Sequence, residues 1–395
     1  MKVLSVNAGS SSLKFQMYEM PEEKVLISGV FDRIGIDSSF YTIKINGEKI
    51  KKEAELNNHT AAVNILIEEL IENKVIENLD EIKAVGHRLV HGGDKYSKSI
   101  VIDNDVIDAV EQLSSLAPLH NPANLMGVKA FMDRVPNALQ VACFDTAFHQ
   151  TMENVNYIYP VPYEWYENYS VRKYGFHGMS HRYVSERCAE ILDKKDSKII
   201  VCHLGNGGSL SAVKNGKCIN TTMGLSPNAG IMMGSRSGDI DSSMILYIHK
   251  NTGMSIEEID NALNKKSGFL GVTGISSDSR DIEDGIKEGN ERCILAQNMY
   301  VRRVINYIAQ YYVELEGADA ICFTAGIGEN SASTRKQILN GLKALGIEID
   351  EEANNVRGKE TLITTTNSKV PCYIIPTDEE VMIARDSYTL LNEKA

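Results

Sequence analysis

The sequence predicts an α/β protein made of two related halves. Three observations point there. Short apolar, β-rich runs recur along the chain, amphipathic helical stretches separate most of them, and the opening strand-and-turn is echoed near the middle. At 395 residues the chain also exceeds the usual ceiling for one hydrophobic core, so two domains are expected.

The predicted strands are Lys2–Val6, Ile82–Val85, Leu139–Phe144, Lys198–His203, Ala320–Thr324 and Cys372–Ile375. Between them, Thr60–Glu72, Ser255–Lys265 and Glu288–Glu316 carry apolar residues at helical spacing. Ser255 followed three residues on by Glu258 is a capping box, which fixes the start of the second helix. The echo lies in VLSVNAGSSSLKF at the N-terminus and IVCHLGNGGSLSAV from Ile200. Each reads as a strand, a turn of small residues and a returning strand. Two unrelated hairpins would look similar, and that reading stays open here.

Composition narrows the function. The hydrophobic fraction of 43% and charged fraction of 24% are those of a globular protein. No stretch approaches the roughly 18 apolar residues of a membrane span, and the N-terminus lacks the shape of a signal peptide. Seven cysteines stand singly, without a C-x-x-C pair, as reduced buried thiols of a cytoplasmic protein do. A formal charge of −12 argues against a nucleic-acid partner. Any site for anionic substrates must then concentrate Lys and Arg locally.

Several segments have residues suited to phosphate. In Asn7-Ala-Gly-Ser-Ser-Ser-Leu-Lys14, Gly9 permits a tight turn, the serines offer hydroxyl donors and Lys14 adds charge. His203-Leu-Gly-Asn-Gly-Gly-Ser209 is a second such turn, and Thr324-Ala-Gly-Ile-Gly-Glu-Asn330 is read as a third, between a strand and a helix starting near Ser333. A plain turn or tight packing would also account for each. Neither a P-loop nor a dinucleotide fingerprint is present. Arg88 and Arg236 lie beside glycines, where a long stem has little packing use, and Arg donors match phosphate and carboxylate oxygens bidentately. Solvated loop arginines are the alternative. Asp145 follows an apolar strand, a position for holding Mg2+, acting as a base or capping a helix. His177 and His181 are four apart, but Gly178 stands where H-E-x-x-H needs Glu, so zinc is rejected and His177 is read as a single ligand-facing histidine.

Taken in order, NAGSSSLKF, HRLVHGG, APLHNP, FDTAFH, YGFHGMSH, HLGNGGS, GSRSGDID, FTAGIGEN and PTDEEVMIARD resemble the motifs of the acetate kinases, from residue 3 to residue 386. That resemblance implies a duplicated two-domain, actin-like ATPase (ribonuclease H-like) fold, shared with sugar kinases and Hsp70, with an interdomain active-site cleft. It places residues 1–149 and 380–395 in one domain, with the C-terminal helix returning to it, and 150–379 in the other, nucleotide-binding one. It implies ATP/ADP as co-substrate, Mg2+ or Mn2+ as the metal and a homodimer. By motif, Arg88, Arg236, His177 and Asp145 resemble the catalytic set, and Asn7, Asp145 and Glu379 the metal side. Val90, Leu119, His120, Phe176 and Pro227, with Arg88, resemble the acetate pocket. Ser10, Ser12, Lys14, His203, Asn206, Gly207 and Gly208 resemble the phosphate contacts, and Asp278, Ser279, Arg280, Gly326, Ile327, Gly328 and Asn330 the adenosine pocket.

The chemistry agrees with that division. A substrate carboxyl with a pKa near that of Glu, about 4.3, is already ionised at neutral pH and needs no general base. Bringing two anions together is the task, so Asp145 is assigned to magnesium and orientation. One stretch departs from the family pattern: Ser226-Pro-Asn-Ala-Gly230 replaces the usual Thr-Pro-Leu-Glu-Gly, which leaves acetate, propionate and longer acids as competing substrates. A non-catalytic, nucleotide-gated binding protein is the third reading, and it predicts loss of a charge carrier. None of Arg88, Asp145, His177, Arg236 and Glu379 is lost.

Overall fold

The computed structural model describes residues 1–118 and 120–394. The chain divides into two compact units, Met1–Gln150 with Asp378–Ala395, and Thr151–Thr377. In the first, β1 (Lys2–Ala8), β2 (Ser12–Glu19), β3 (Lys24–Asp32), β4 (Phe40–Ile45) and β5 (Glu48–Glu53) form an antiparallel meander. β6 (Ile82–Leu89) runs parallel to β1, and β8 (Leu139–Phe144) parallel to β6; β7 (Ile100–Val101) closes the edge. The sheet order is β5-β4-β3-β2-β1-β6-β8-β7.

The second unit repeats the plan. β9 (Lys198–Leu204), β10 (Gly208–Lys214) and β11 (Lys217–Thr221) form an antiparallel set, and β12 (Ala320–Thr324) and β14 (Cys372–Ile374) extend it in parallel from β9. With β13 (Thr361–Leu362) the order is β11-β10-β9-β12-β14-β13. Thus β3-β2-β1-β6-β8 and β11-β10-β9-β12-β14 are the same topology used twice. The sequence echo marks equivalent hairpins, not a coincidence of turn chemistry. The second is one residue tighter: Ala8 pairs with Leu13 in the first, Leu204 with Gly208 in the second.

Local signals explain the element ends. Asn58 caps His59–Glu72 by accepting from the Ala61 amide at 2.9 Å. At Ser255 both arms of the capping box are made, at 2.8 and 3.1 Å, so the helix runs Ile256–Lys265. The long helix is Glu291–Glu314, shorter at each end than its apolar periodicity, because Asn290 accepts from the Arg292 and Cys293 amides and sets the start. One expectation fails outright. Residues 325–330 are not a turn but a short helix, Ala325–Asn330, followed by Ala332–Gly341. The Glu329 carboxylate accepts from the Ala325 amide at 2.8 Å, and buried Arg335 takes the Gly328 carbonyl at 2.9 Å. These tertiary bonds override the poor helix propensity of two glycines. All seven cysteines are buried thiols outside any disulfide, and among the described residues no helix is long and apolar enough to cross a membrane.

The C-terminal helix, Glu379–Lys394, lies on the first unit's sheet against β1, β6 and β8. Its approach depends on Gly86 in β6. A Cβ there would lie 2.3 Å from Ser387 Oγ and 2.4 Å from Ile383 Cγ2. Gly86→Ala is therefore expected to cost about 2–3 kcal/mol by overpacking, seen as a lower denaturant midpoint. Unchanged stability would mean the helix shifts freely.

His87, next along β6, is buried against Phe131. The Gln140 amide donates to two backbone carbonyls, so its oxygen must accept from His87 Nε2, at 2.8 Å. Burial pushes this imidazole down from 6.5 to about 4. The unfolded chain then binds a proton more readily, so stability is full above pH 6.5 and is lost as pH falls toward 4, by about 3 kcal/mol. A His87→Gln variant should show a correspondingly flatter profile of unfolding free energy between pH 7 and 5.

Candidate functional site

In the first unit, β1, β6, β8 and the start of the C-terminal helix bring four predicted residues together. Arg88 on β6 grips Asp145, just past β8, through Nε at 2.9 Å and Nη2 at 2.6 Å. Its Nη1 donates to Asn7 Oδ1 at 3.3 Å, and Glu379 Oε2 lies 3.9 Å from Nε. Asp145 is 2% exposed, while Arg88 and Glu379 are each 21% exposed. The bidentate pair with Arg88 holds Asp145 in place.

Electrostatics follow from that crowding. Burial works against the Arg88 charge, but Asp145 and Glu379 more than offset it and hold its pKa above the usual range. Glu379 is pushed up to about 7, first by burial and then by Asp145, against the pull of Arg88. The donors Asn7, Asp145 and Glu379 are hard oxygens, the chemistry that magnesium takes. Among the described residues no group of three or more His, Cys, Asp and Glu side chains forms a protein-only metal cage. Two carboxylates and an amide, completed by substrate phosphates and water, are how Mg2+ is commonly held.

The β1–β2 hairpin places Ser10 exposed at its tip and Lys14 directly opposite Asn7. Ser12 opens β2, and its carbonyl accepts from the Gly9 amide at 2.8 Å. His59 Nε2 meets the Gly9 carbonyl at 2.7 Å and pins the turn; nothing in the spacing of the sequence marked it. The Val90 amide donates to Asn124, which bonds the Ala8 carbonyl at 2.6 Å. His120 stands exposed before the helix Asn121–Arg134, and Leu119 lies outside the described residues.

In the second unit, His177 and Arg236 converge on the β9–β10 turn. A Cβ on Gly207 would lie 3.4 Å from Arg236 Nη1 and 3.7 Å from His177. His177 adopts a left-handed φ of 58° before the helix Gly178–Ile191. Its Nδ1 bonds Ser209 Oγ at 2.9 Å, and its ring stacks on His203 at 4.1 Å. His203 Nδ1 meets Ser180 Oγ at 2.7 Å. His181 bonds Ser209 and Ser211, each at 2.7 Å, so it positions the hydroxyl that positions His177. Phe176 is buried beside this network. Arg236 is half-buried and donates to the Pro227 carbonyl at 3.1 Å, with no carboxylate partner among the described residues; burial lowers its pKa. The neighbouring Ser237 hydroxyl reaches Asn228 at 3.5 Å, so the departing stretch lies against the Arg236 loop.

A cavity of about 570 Å³ opens in the same unit. Of the predicted residues, Asn206, Asp278, Ser279, Arg280, Gly326, Ile327 and Asn330 line it. His203, Gly207, Gly208 and Gly328 do not. Gly208 lies in β10, where a Cβ would strike Ile231, and Gly328 packs near Phe323 and Leu204. Six lining residues went unforeseen: Gly234, Phe269, Ser277, Glu283, Ser331 and Arg357. Gly234 had a signal in the GSRSGDID motif. A Cβ there would lie 1.7 Å from Asn206 Oδ1, so glycine is what lets Asn206 occupy its place.

Gly326 separates packing from ligand. A Cβ built on it meets nothing within 4 Å, and its φ is not positive. The protein itself therefore has no need of glycine there. Gly326→Ala is expected to leave the melting temperature unchanged or higher, since Ala favours the helix, while the KM for the nucleotide that the resemblance implies rises about tenfold. An unaltered KM would remove Gly326 from the ligand wall.

The chain matches the acetokinase family over residues 2–385. It is 53% identical over 393 residues to the acetate kinase of Bacillus cytotoxicus, with 99% of each chain covered. Among solved structures, an acetate kinase from Porphyromonas gingivalis shares 46% identity at a TM-score of 0.94, covering 99% of both chains. A propionate kinase from Francisella tularensis shares 41% at 0.93, covering 98% of this chain and 99% of that one.

Proposed function

The chain belongs to the acetokinase family, and we propose that it catalyses the reversible, Mg2+-dependent transfer of the γ-phosphoryl of ATP to acetate, giving acetyl phosphate and ADP by direct in-line displacement. It is a phosphotransferase with a carboxyl group as acceptor. The observation that carries the site assignment is Arg236. A half-buried guanidinium without a counter-ion among the described residues, beside a glycine turn and a held histidine, is a charge reserved for an anion.

The acceptor carboxylate arrives ionised, so the residues bind and orient and abstract no proton. Arg236 and His177 act on the transferring phosphoryl, whose charge spreads over its equatorial oxygens in the transition state. Ser209, held by His181, fixes the His177 ring. Arg88 binds the acetate carboxylate, and Val90, Leu119, His120, Phe176 and Pro227 limit the acyl chain. The cavity lined by Asp278, Ser279, Arg280, Gly326, Ile327 and Asn330 takes the adenosine, with Ser10, Ser12, Lys14, His203, Asn206, Gly207 and Gly208 on the phosphates and Gly328, next after Ile327, packed near Phe323 and Leu204. Asn7, Asp145 and Glu379 would hold Mg2+, or Mn2+ in its place. The ion, when bound, neutralises charge on the nucleotide phosphates. The same reading makes the working enzyme a homodimer and places it in the cytoplasm, where seven buried thiols outside any disulfide are at home.

Asn228 beside the Arg236 loop favours one second reading, a kinase preferring propionate. Trapping acyl phosphates with hydroxylamine across acetate, propionate and butyrate decides the matter. Acetyl hydroxamate should form fastest. A clear preference for propionate would install the second reading, and no hydroxamate with any acid would sink both.

A further inference from the structure

We propose that the outward face of strands β2 to β5, in the first unit, binds a small multivalent anion. The strand register builds the site. Lys14, Val30, Thr42 and Lys51 form one row across the four strands, and Gln16, Ser28, Lys44 and Lys49 form the next. These residues line a concave surface of about 520 Å³, where four lysines face only two carboxylates, Asp32 and Glu380. In a chain of net charge −12, such a local excess of positive charge is against the overall field.

None of the four lysines makes an ion pair or a side-chain hydrogen bond among the described residues; Lys51 lies 3.8 Å over the Phe40 ring. Lys52, one residue along β5, bonds Glu69 at 2.5 Å. On β5 the paired lysine and the unpaired ones thus fall on opposite faces of the sheet. Lys44 and Lys49 are also directly opposed across β4 and β5, a like-charge pair that destabilises the ladder unless something offsets it. Protection of an edge strand against pairing explains lysines on β5. It does not explain Lys44 on β4, which is an interior strand.

The ligand's chemistry follows from what the face offers. Gln16, Ser28 and Thr42 add short polar groups between the cations. Of the two aromatic residues that line it, Phe15 is 3% exposed and Phe40 is engaged by Lys51, so no platform is left for a nucleobase. Lysines act as point charges without the planar fork that selects among oxyanions. Charge number therefore governs binding, and the anion's source is either a phosphate chain or a polycarboxylate.

The test is calorimetric titration of tripolyphosphate and of citrate into metal-free protein, with ADP saturating so that the nucleotide cavity is filled. One equivalent of anion should bind, with affinity falling at least about tenfold between about 50 and about 200 mM salt. The combined variant Lys44→Gln, Lys49→Gln, Lys51→Gln should lose at least about tenfold in affinity. Its kcat and KM for ATP should stay within about twofold of wild type, because none of the three belongs to the proposed catalytic set. Tighter binding of tripolyphosphate assigns the face to phosphates, and tighter binding of citrate to polycarboxylates. No heat with either anion at low salt, or equal binding by wild type and variant, overturns the proposal without touching the acetokinase reading.

Discussion

Arg236→Ala is expected to lower kcat by about 10³-fold while the KM for ATP stays within about threefold. The asymmetry follows from position. Arg236 does not line the 570 Å³ cavity proposed above to take the adenosine. Its guanidinium lies beside Gly207 and the Pro227 carbonyl, on the side of the turn where His177 also points. It therefore meets charge that develops during transfer more than charge already present in bound ATP. Burial without a counter-ion sharpens this, since an unpaired cation in a poorly solvated place is stabilised most when an anion arrives. Lysine at 236 should recover only a small part of the rate, because a single ammonium cannot reproduce two parallel donors. Steady-state kinetics with ATP and acetate varied independently checks all of this. A loss confined to the KM for ATP, with kcat intact, would show that Arg236 anchors the nucleotide instead.

Much of the site could be read in the chain because its residues break local rules. Arg88 and Arg236 lie beside glycines, Asp145 ends an apolar strand, and Asn7 to Lys14 packs hydroxyls into a turn; each is costly without a ligand or partner. The hairpin echo was readable for a similar reason, since both copies must turn sharply after a buried strand. What stayed hidden acts through partners remote in sequence. Arg335 sits on an amphipathic helix and reads as a surface residue, yet it is 0% exposed and bonds the Gly328, Asn354 and Val356 carbonyls. It ties the helix Ala325–Asn330 to the segment leading to Arg357, two walls of the 570 Å³ cavity. His181 was dismissed with the zinc motif, and only its bonds to Ser209 and Ser211 show its use. Strand β5 escaped because its three lysines and two glutamates dilute the alternation that marks a half-buried strand.

Asp145→Asn should lower kcat by about 10²-fold or more and weaken the apparent Mg2+ affinity by about tenfold. The change keeps the volume and removes one charge. In the wild type, both Asp145 oxygens accept from Arg88, at 2.9 and 2.6 Å. An asparagine can accept at only one of them and turns an NH2 group toward a guanidinium that also donates. Arg88 then keeps Asn7 at 3.3 Å and Glu379 at 3.9 Å, neither of which fixes its plane as a bidentate carboxylate does. Breaking a mostly buried pair also costs about 3 kcal/mol of stability, read as a lower unfolding midpoint. The two functions of Asp145 separate in one experiment, kcat measured as a function of free Mg2+. If Asp145 both orients Arg88 and faces the metal, the variant's half-saturating Mg2+ rises and the rate at saturation stays low. Full recovery at high Mg2+ would show that Arg88 holds its place unaided. An unchanged half-saturation with a low plateau would take Asp145 off the metal and leave Asn7 and Glu379 to hold it.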